Sequence, residues 1–427
     1  MMDTYKPRII EDRLVELFRY YPVVAVLGAR QVGKSTLVEN LFGNRVDTVV
    51  FDPVVDIENA RQDPVFFLQN HPPPVFFDEI QSAPELLGPI KRQVDRLRQK
   101  GLYILSGSQH LSVMRDIAES LAGRVALVHL YPMTWRELAG VSKGPFLEKW
   151  MAGNGDINAI DGVNDVAASD VDDRFTADRQ PAPKLFPLIW RGGYPGVMDL
   201  PDNLAGGYWQ SYLQTYIERD VRSVANIVSL QTFGQFIRLL AAMSAQEINY
   251  AHLGRELGMD RKTAQAWLET TASTFLWINI PAFSRNPIKR IAGRGKGYFA
   301  DTGFVCQLQK ISTPDAIGGH PLLGALFETW VVMEIIKTIQ AWPTAPNIYH
   351  FRSYGGAEVD LVLEFNGTLY PIEIKSKSNP TRNDGRGIGA FRECFPRERI
   401  GPGLIICAVE KPARLSDNLL AVPWWMM

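Results

Sequence analysis

VVAVLGARQVGKST occupies residues 23–36. Val23 to Leu27 is a short, uncharged apolar run, the pattern of a strand buried on both faces. KSTLVENLF, residues 34–42, carries helical spacing. Gly28, Ala29, Arg30, Gln31, Val32 and Gly33 form the loop between them. A strand, then Gly28-x4-Gly33-Lys34-Ser35, then a helix is the context of a phosphate-binding loop. Its glycines let backbone N–H groups turn towards phosphate oxygens, and the helix offers its N-terminus to the same anion. Lys34 is placed to reach the β and γ phosphates and Ser35 to hold Mg2+, with Thr36 behind it. ATP and Mg2+ are the cofactors this implies.

The neighbouring sequence supplies the rest of such a site. VDTVVF (46–51), PVFFDE (74–79), LYILSGS (102–108) and RVALVHL (124–130) read as further buried strands, with ELLGPIKRQVDRLRQK (85–100) as a helix between two of them. That rhythm predicts an α/β sheet with crossover connections over residues 1–150. Asp78 and Glu79 end a strand at the edge where open α/β sheets bind ligands. Asp78 suits a water-mediated hold on Mg2+ and Glu79 suits polarisation of the attacking water. Ser106, Ser108 and Gln109 end the next strand and are candidates for sensing the γ-phosphate, against a plain turn role. Hydrolysis also calls for a cation on the γ-phosphate. Arg124 is one candidate; Arg219 and Arg222, three apart on a helical pattern, are two more, acting within the chain or across a subunit boundary. Each has an ordinary surface role as its alternative.

Composition bounds the classes. The chain has 427 residues and is 46% hydrophobic, enough for two or three cores. Lys+Arg 45 against Asp+Glu 46 excludes a generally basic coat for nucleic acid but not a local groove. The three cysteines, Cys306, Cys394 and Cys407, form no zinc or disulfide pattern. No apolar run is long enough to span a bilayer and no signal-peptide core opens the chain, so a cytoplasmic protein without a membrane partner is expected.

Beyond the first part, residues 153–184 hold seven Asp and read as a flexible insertion or linker. Residues 185–230 read as a helical connection. Residues 231–300 carry a helix, the turn GMD (258–260), a second helix RKTAQAWLETTAST (261–274) and strand-like FLWINIPAF (275–283), a winged-helix pattern. Its flank FSRNPIKRIAGRGKGY (283–298) holds Arg285, Lys289, Arg290, Arg294 and Lys296 with no acid. With Arg261 and Lys262 it could touch DNA phosphates, or it is a solvated loop.

Residues 301–427 form a last unit around YGGAEVDLVLEFNGTLYPIEIKS (354–376). Asn366-Gly367 between two strand patterns signals a hairpin. Counting outward from that turn sets Asp360 opposite Glu373, with Lys375 on the same face. Two carboxylates and a lysine are a metal-nuclease set, the acids for Mg2+ and the lysine for water and charge; Glu328 in the preceding helix could complete it. Glu358, opposite Lys375, could instead pair with it on a charge-balanced solvent face of an edge hairpin.

With GARQVGKST, VFFDEIQ, LSGSQ, SLAGRV, YPMTWREL, RGGYP, YLQTYIERDV, YFADTGF, LFETWVVMEI, FRSYGGAEVDLVLE and IEIKSK in this order, the chain resembles the bacterial and archaeal AAA-type ATP-binding proteins with a C-terminal DUF4143 domain. The resemblance implies an α/β chain with a RecA/AAA-like P-loop NTPase core, a winged-helix middle domain and a C-terminal domain similar to restriction endonucleases. It implies Gly33, Lys34, Ser35 and Thr36 for phosphate and Mg2+, Asp78 and Glu79 for metal and water, and Glu328, Asp360, Glu373 and Lys375 for the nuclease-like site. Three functions follow as expectations: an ATPase coupled to a DNA-related module, a metal-dependent DNA nuclease regulated by ATP, or an ATP-controlled protein switch. The candidate partners are accordingly DNA, a second copy of the chain, or another protein.

Overall fold

Five apolar runs become five parallel strands: β1 Val23–Leu27, β2 Asp47–Val50, β3 Val75–Asp78, β4 Tyr103–Gly107 and β5 Val125–His129. The computed structural model describes residues 5–51, 54–108, 117, 120–141, 146–153, 184–216, 229–286, 288, 290 and 293–427. The sheet order is β2-β3-β4-β1-β5. Strands β1, β3 and β4 are buried throughout, because helices cover both faces. Phe76 and Phe77 are fully buried on successive positions of β3, and thus on opposite faces of the sheet. Each such side chain contributes roughly 1.5–3 kcal/mol of burial. Because β4 lies between β1 and β3, the loop after β1 and the acids ending β3 flank the end of β4. This arrangement puts Ser106 between the two motifs.

The helical segment Asp202–Thr215 leads towards a second unit. There a helix Leu230–Ala242, a short β6 Gln246–Glu247, helices Tyr250–Glu256 and Arg261–Ser273, β7 Trp277–Ile280 and β8 Lys296–Phe299 follow in order. The strands form an antiparallel sheet, β6-β8-β7. Asn249 and Asp260 cap the two shorter-spaced helices by accepting from Ala251 and His252, and from Lys262 and Thr263. Phe233 and Phe236 meet Trp267 edge-on and lock the first helix to the third.

The last unit is a six-stranded sheet ordered β13-β14-β12-β11-β10-β9. Its strands are β9 Asn347–Arg352, β10 Glu358–Phe365, β11 Thr368–Lys375, β12 Gly403–Cys407, β13 Ala413–Ser416 and β14 Leu419–Pro423. The helix Leu323–Ile339 is buried on nearly every side. It shares one apolar cluster with Leu361, Leu363, Ile372 and Ile374. Ile388 and Phe391 of the helix Arg386–Cys394 share the other with Val359 and Val362.

The hairpin register runs from Phe365 opposite Thr368 to Leu361 opposite Ile372, so Asp360 continues opposite Glu373. The alternative of a charge-balanced solvent face on an edge hairpin is corrected. β11 pairs with β10 on one side and β12 on the other, so it is not at an edge, and both Asp360 and Glu373 are buried. The Asp-rich stretch 154–183, Gln109, Lys289, Arg219 and Arg222 lie outside the described residues. Among the described residues no helix is long and apolar enough to cross a membrane.

Candidate functional site

Backbone geometry shapes the loop after β1. Gly33 sits at φ 92°, the left-handed region that disfavours side chains, and it starts the helix Lys34–Phe42. A Cβ at Gly28 would stand 2.2 Å from the Leu130 carbonyl oxygen, so a side chain there would push the loop off β5. Gln31 also takes a left-handed φ of 61°. Lys34, only 5% exposed, turns its ammonium into the loop and donates to the carbonyls of Gly28 and Ala29, each at 3.1 Å. Glu79 Oε1 is 3.9 Å from the same ammonium. Ala29, Arg30 and Val32 lie on the loop with them, and Thr36 follows Ser35 on the helix.

The acids are held by strand-end hydroxyls. Ser35 Oγ donates to Asp78 Oδ2 at 2.6 Å, and Ser106 Oγ donates to Asp78 Oδ1. The Glu79 amide donates to Ser106 Oγ at 2.9 Å. Ser108 Oγ donates to Glu79 Oε2 at 3.1 Å, and Gln81 Nε2 donates to that same oxygen and to Ser108. The structure thus brings Lys34, Ser35, Asp78, Glu79 and Ser108 together. Ser106 and Ser108 orient the acids, beyond any plain turn role. The Ser35 hydroxyl and Asp78 carboxylate are adjacent hard oxygen donors, which fits Mg2+.

Two residues that no motif flags complete this region. Arg8 is buried and its guanidinium donates to the Val32 carbonyl at 2.9 Å, to the Tyr131 carbonyl at 2.7 Å and to Glu137 at 3.1 Å. It therefore fixes the loop to the segment after β5. Tyr208 reaches over from the helix Asp202–Thr215 and donates to Gln31 Oε1 at 2.8 Å. Their partners lie far along the chain, so neither carried a sequence signal. Arg124 is corrected as a finger within the chain. It precedes β5, beside the start of β1, and forms a two-pronged pair with Asp95. A five-residue strand separates it from the loop, roughly 16 Å.

In the last unit Lys375 Nζ reaches Glu373 at 2.7 Å and Asp360 at 3.4 Å. The Ile374 amide also donates to Asp360, at 2.9 Å. Glu358 does not pair with Lys375. It meets Lys296 at 2.7 Å and Arg352 at 4.0 Å. Lys296, from β8 of the middle unit, is the unforeseen member. Only 2% exposed, it lies 2.6 Å from Glu328, 2.7 Å from Glu358 and 3.0 Å from Asp360. Tyr298, two residues on, donates to Glu328 at 2.7 Å.

Electrostatics follow from this crowding. Burial, reinforced by Asp360, pushes Glu328 up to about 7 and Glu373 up to about 8. Burial would raise Asp360 as well, but Lys296 and Lys375 hold it below the usual carboxylate range. Burial acts to lower Lys296, and its three acids overcome that and keep it charged. Glu328, Asp360 and Glu373 therefore do not fit a divalent ion as they stand, since an ammonium already holds two of the three. Among the described residues no group of three His, Cys, Asp or Glu is placed to hold a metal. Two arginines of the basic flank are likewise paired within the protein. Arg285 pairs with Glu398, and Arg290 pairs with Glu364 while covering the rings of Phe283 and Tyr349.

The loop, helix and acids at the end of a parallel sheet match a known arrangement. An AAA domain model matches residues 20–139. The chain carries an AAA-type P-loop ATPase domain. Two domains of unknown function follow, DUF8612 over residues 183–315 and DUF4143 over residues 323–427. Two proteins, from Mycobacterium tuberculosis and Mycobacterium bovis, both named only as uncharacterized, are 28% identical over 96% of this chain and 82% of their own length. A Walker-type ATPase of Pyrococcus abyssi aligns over 72% of this chain and 97% of its own, at 18% identity and a TM-score of 0.41. ATP hydrolysis is the activity that the AAA domain supports.

Proposed function

We propose that the chain binds ATP with Mg2+, hydrolyses it, and passes the nucleotide state to its middle and C-terminal units. The observation that carries this is the pairing of Lys34 with Glu79 and of Ser35 with Asp78 at one sheet edge. Loop amides and Lys34 hold the phosphates. Ser35 and Asp78 would hold Mg2+, which neutralises phosphate charge when bound. Glu79, fixed by Ser108 and Gln81, orients the attacking water and takes its proton. Arg219 and Arg222 remain the proposed fingers. Phosphate release from the purified intact chain tests the reading. Lys34→Ala should lose ATP binding, whereas Glu79→Gln should keep binding and lose turnover by at least ~100-fold. Equal turnover in all three proteins sinks it.

The order helix, strand, two helices and two strands supports a winged-helix reading of the middle unit. The sheet flanked by the helices Leu323–Ile339 and Arg386–Cys394, with its Asp360–Glu373–Lys375 hairpin, supports a restriction-endonuclease-like reading of the last. A nuclease mechanism does not follow from that likeness, because Lys296 and Lys375 already pair with Glu328, Asp360 and Glu373. In a DNA assay with Mn2+, the expected result is no cleavage that Asp360→Ala removes. Cleavage lost in that variant would restore the nuclease reading. DNA affinity that rises in the Glu79→Gln protein with ATP would favour DNA as partner, and unchanged affinity would favour a protein switch.

A further inference from the structure

Two residues of the phosphate-binding loop take left-handed backbone, Gln31 at φ 61° and Gly33 at φ 92°. Left-handed residues in such a loop let successive amides converge on one anion. Gly33 adopts that conformation freely, whereas a glutamine seldom does, so Gln31 calls for something that holds it. The hold comes from outside the core. Tyr208 Oη donates to Gln31 Oε1 at 2.8 Å, across 177 positions of chain.

Tyr208 is itself firmly seated. Its ring meets Trp209 edge-on at 5.2 Å and stacks with Tyr212 at 6.4 Å. Trp209 and Tyr212 are buried and pack in turn on Phe304. The Tyr212 and Tyr194 hydroxyls hydrogen-bond at 3.0 Å. Gly196 lies against the Tyr208 ring, where a Cβ would stand 2.9 Å from a ring carbon. Pro195, one residue earlier, faces the loop, since a Cβ on Gly33 would stand 3.9 Å from its ring. Pro195 and Tyr208 thus bracket Gln31 and Gly33. The bracket belongs to the DUF8612 span and the loop to the AAA span.

We infer that Tyr208 is a positioning residue for the phosphate-binding loop, its hydroxyl acting through Gln31 to hold the loop amides in the arrangement that receives phosphate. That role rests on the ATPase reading and names a residue through which the DUF8612 span sets the site. Tyr208 acts through the loop backbone, not on Glu79 or the attacked bond. Its effect therefore falls on capture of the phosphate chain and not on the chemical step: a loop held in its binding conformation loses less freedom when the anion arrives. Tyr208→Phe separates the hydroxyl from the ring, because the stack on Trp209 and Tyr212 needs only the ring.

Calorimetry and phosphate release on the intact protein with Mg2+ test this, with ATP and inorganic tripolyphosphate as separate binding probes. Tyr208→Phe should weaken both probes by the same factor, about 5-fold, the size of one hydrogen bond. KM for ATP should rise in step while kcat stays within ~2-fold. In a Gln31→Ala background Tyr208→Phe should have no further effect, because both changes delete one interaction. Unchanged affinity in Tyr208→Phe, or a further loss in the Gln31→Ala background, overturns the positioning role and leaves the phosphate loop intact. Weaker ATP with unchanged tripolyphosphate overturns it too, because Tyr208 would then act on the nucleoside. Failure of the parent to bind either probe overturns the ATPase reading itself, and with it this inference.

Discussion

Glu79 takes a φ of 59°, a left-handed backbone that costs a glutamate roughly 1–2 kcal/mol. The turn directs its amide to Ser106 and its carboxylate towards Lys34, so the strain is offset by the contacts it makes possible. Arg8 performs the complementary task from outside the motif. Its fork joins the Val32 carbonyl, the Tyr131 carbonyl and Glu137, and a lysine has no such planar fork. Arg8→Ala should therefore cost about 3 kcal/mol in urea unfolding, with Arg8→Lys recovering only part of it. Both should weaken ATP binding, since the loop loses its fixed carbonyl. A variant as stable as the parent would show that the loop holds its shape unaided. The motif residues were legible because glycine, lysine and acid spacing encode the chemistry locally. Arg8 was not, because its three partners lie 24, 123 and 129 positions away.

Elements bring together what single residues cannot. The Asn366-Gly367 turn is enough to set the β10–β11 register, and with it the meeting of Asp360, Glu373 and Lys375. What the pattern hid was that β11 is central and that β8 sends Lys296 into the cluster. Reading Lys296 as part of a solvated basic flank failed because sequence neighbours do not reveal a strand's burial. Lys296→Met should destabilise the protein by about 3–5 kcal/mol, because Glu328, Glu358 and Asp360 would be left crowded without their counter-charge. Thermal unfolding reads this, and a loss below ~1 kcal/mol would show the clasp to be inessential. His350 of β9 lies beside the same cluster, fully buried. Its Nε2 meets the Arg294 carbonyl at 2.9 Å, and Nδ1 has no partner among the described residues. Burial lowers its pKa, and Lys296 adds to this against the opposing pull of the Arg294 carbonyl, Glu247 and Glu358. A depressed base is protonated more readily when unfolded, so its contribution is full above the unfolded value near 6.5 and is lost as pH falls below it. The His350 contribution should therefore be read as a difference in unfolding midpoint: relative to His350→Gln, the parent should lose stability as pH falls below about 6.5, against the opposite trend set by Glu328 and Glu373, whose raised values favour the folded state as pH falls. An unchanged slope would assign the acid sensitivity to other groups.

At the scale of the molecule, the alternation of strands and helices made an α/β core legible, but the joints between units were not. Those joints pair residues 199, 204 and 291 positions apart. The Trp135 amide donates to Glu334 at 3.0 Å, Lys337 donates to the Met133 carbonyl at 3.1 Å, and Arg136 donates to the Met427 backbone oxygen at 3.0 Å. Each is a buried or half-buried polar bond, individually modest but costly to leave unmade. Asp301 is a further joint. It accepts from the Gly193 amide and caps the helix Thr302–Leu308 through Phe304, so it fixes the turn at Gly193 and that helix to one point. ATP at a hundred times its dissociation constant should raise stability by about 2.7 kcal/mol, and with these joints intact the gain should appear in one transition. Asp301→Ala leaves the Gly193 amide buried without its acceptor, at a cost of about 1–3 kcal/mol. In that variant calorimetry should show two transitions, the first shifted by ATP and the second, from the middle and C-terminal units, nearly indifferent to it. A single ATP-shifted transition in Asp301→Ala would move the coupling to Glu334 and Lys337, whose helix joins the core directly to the carboxylate sheet.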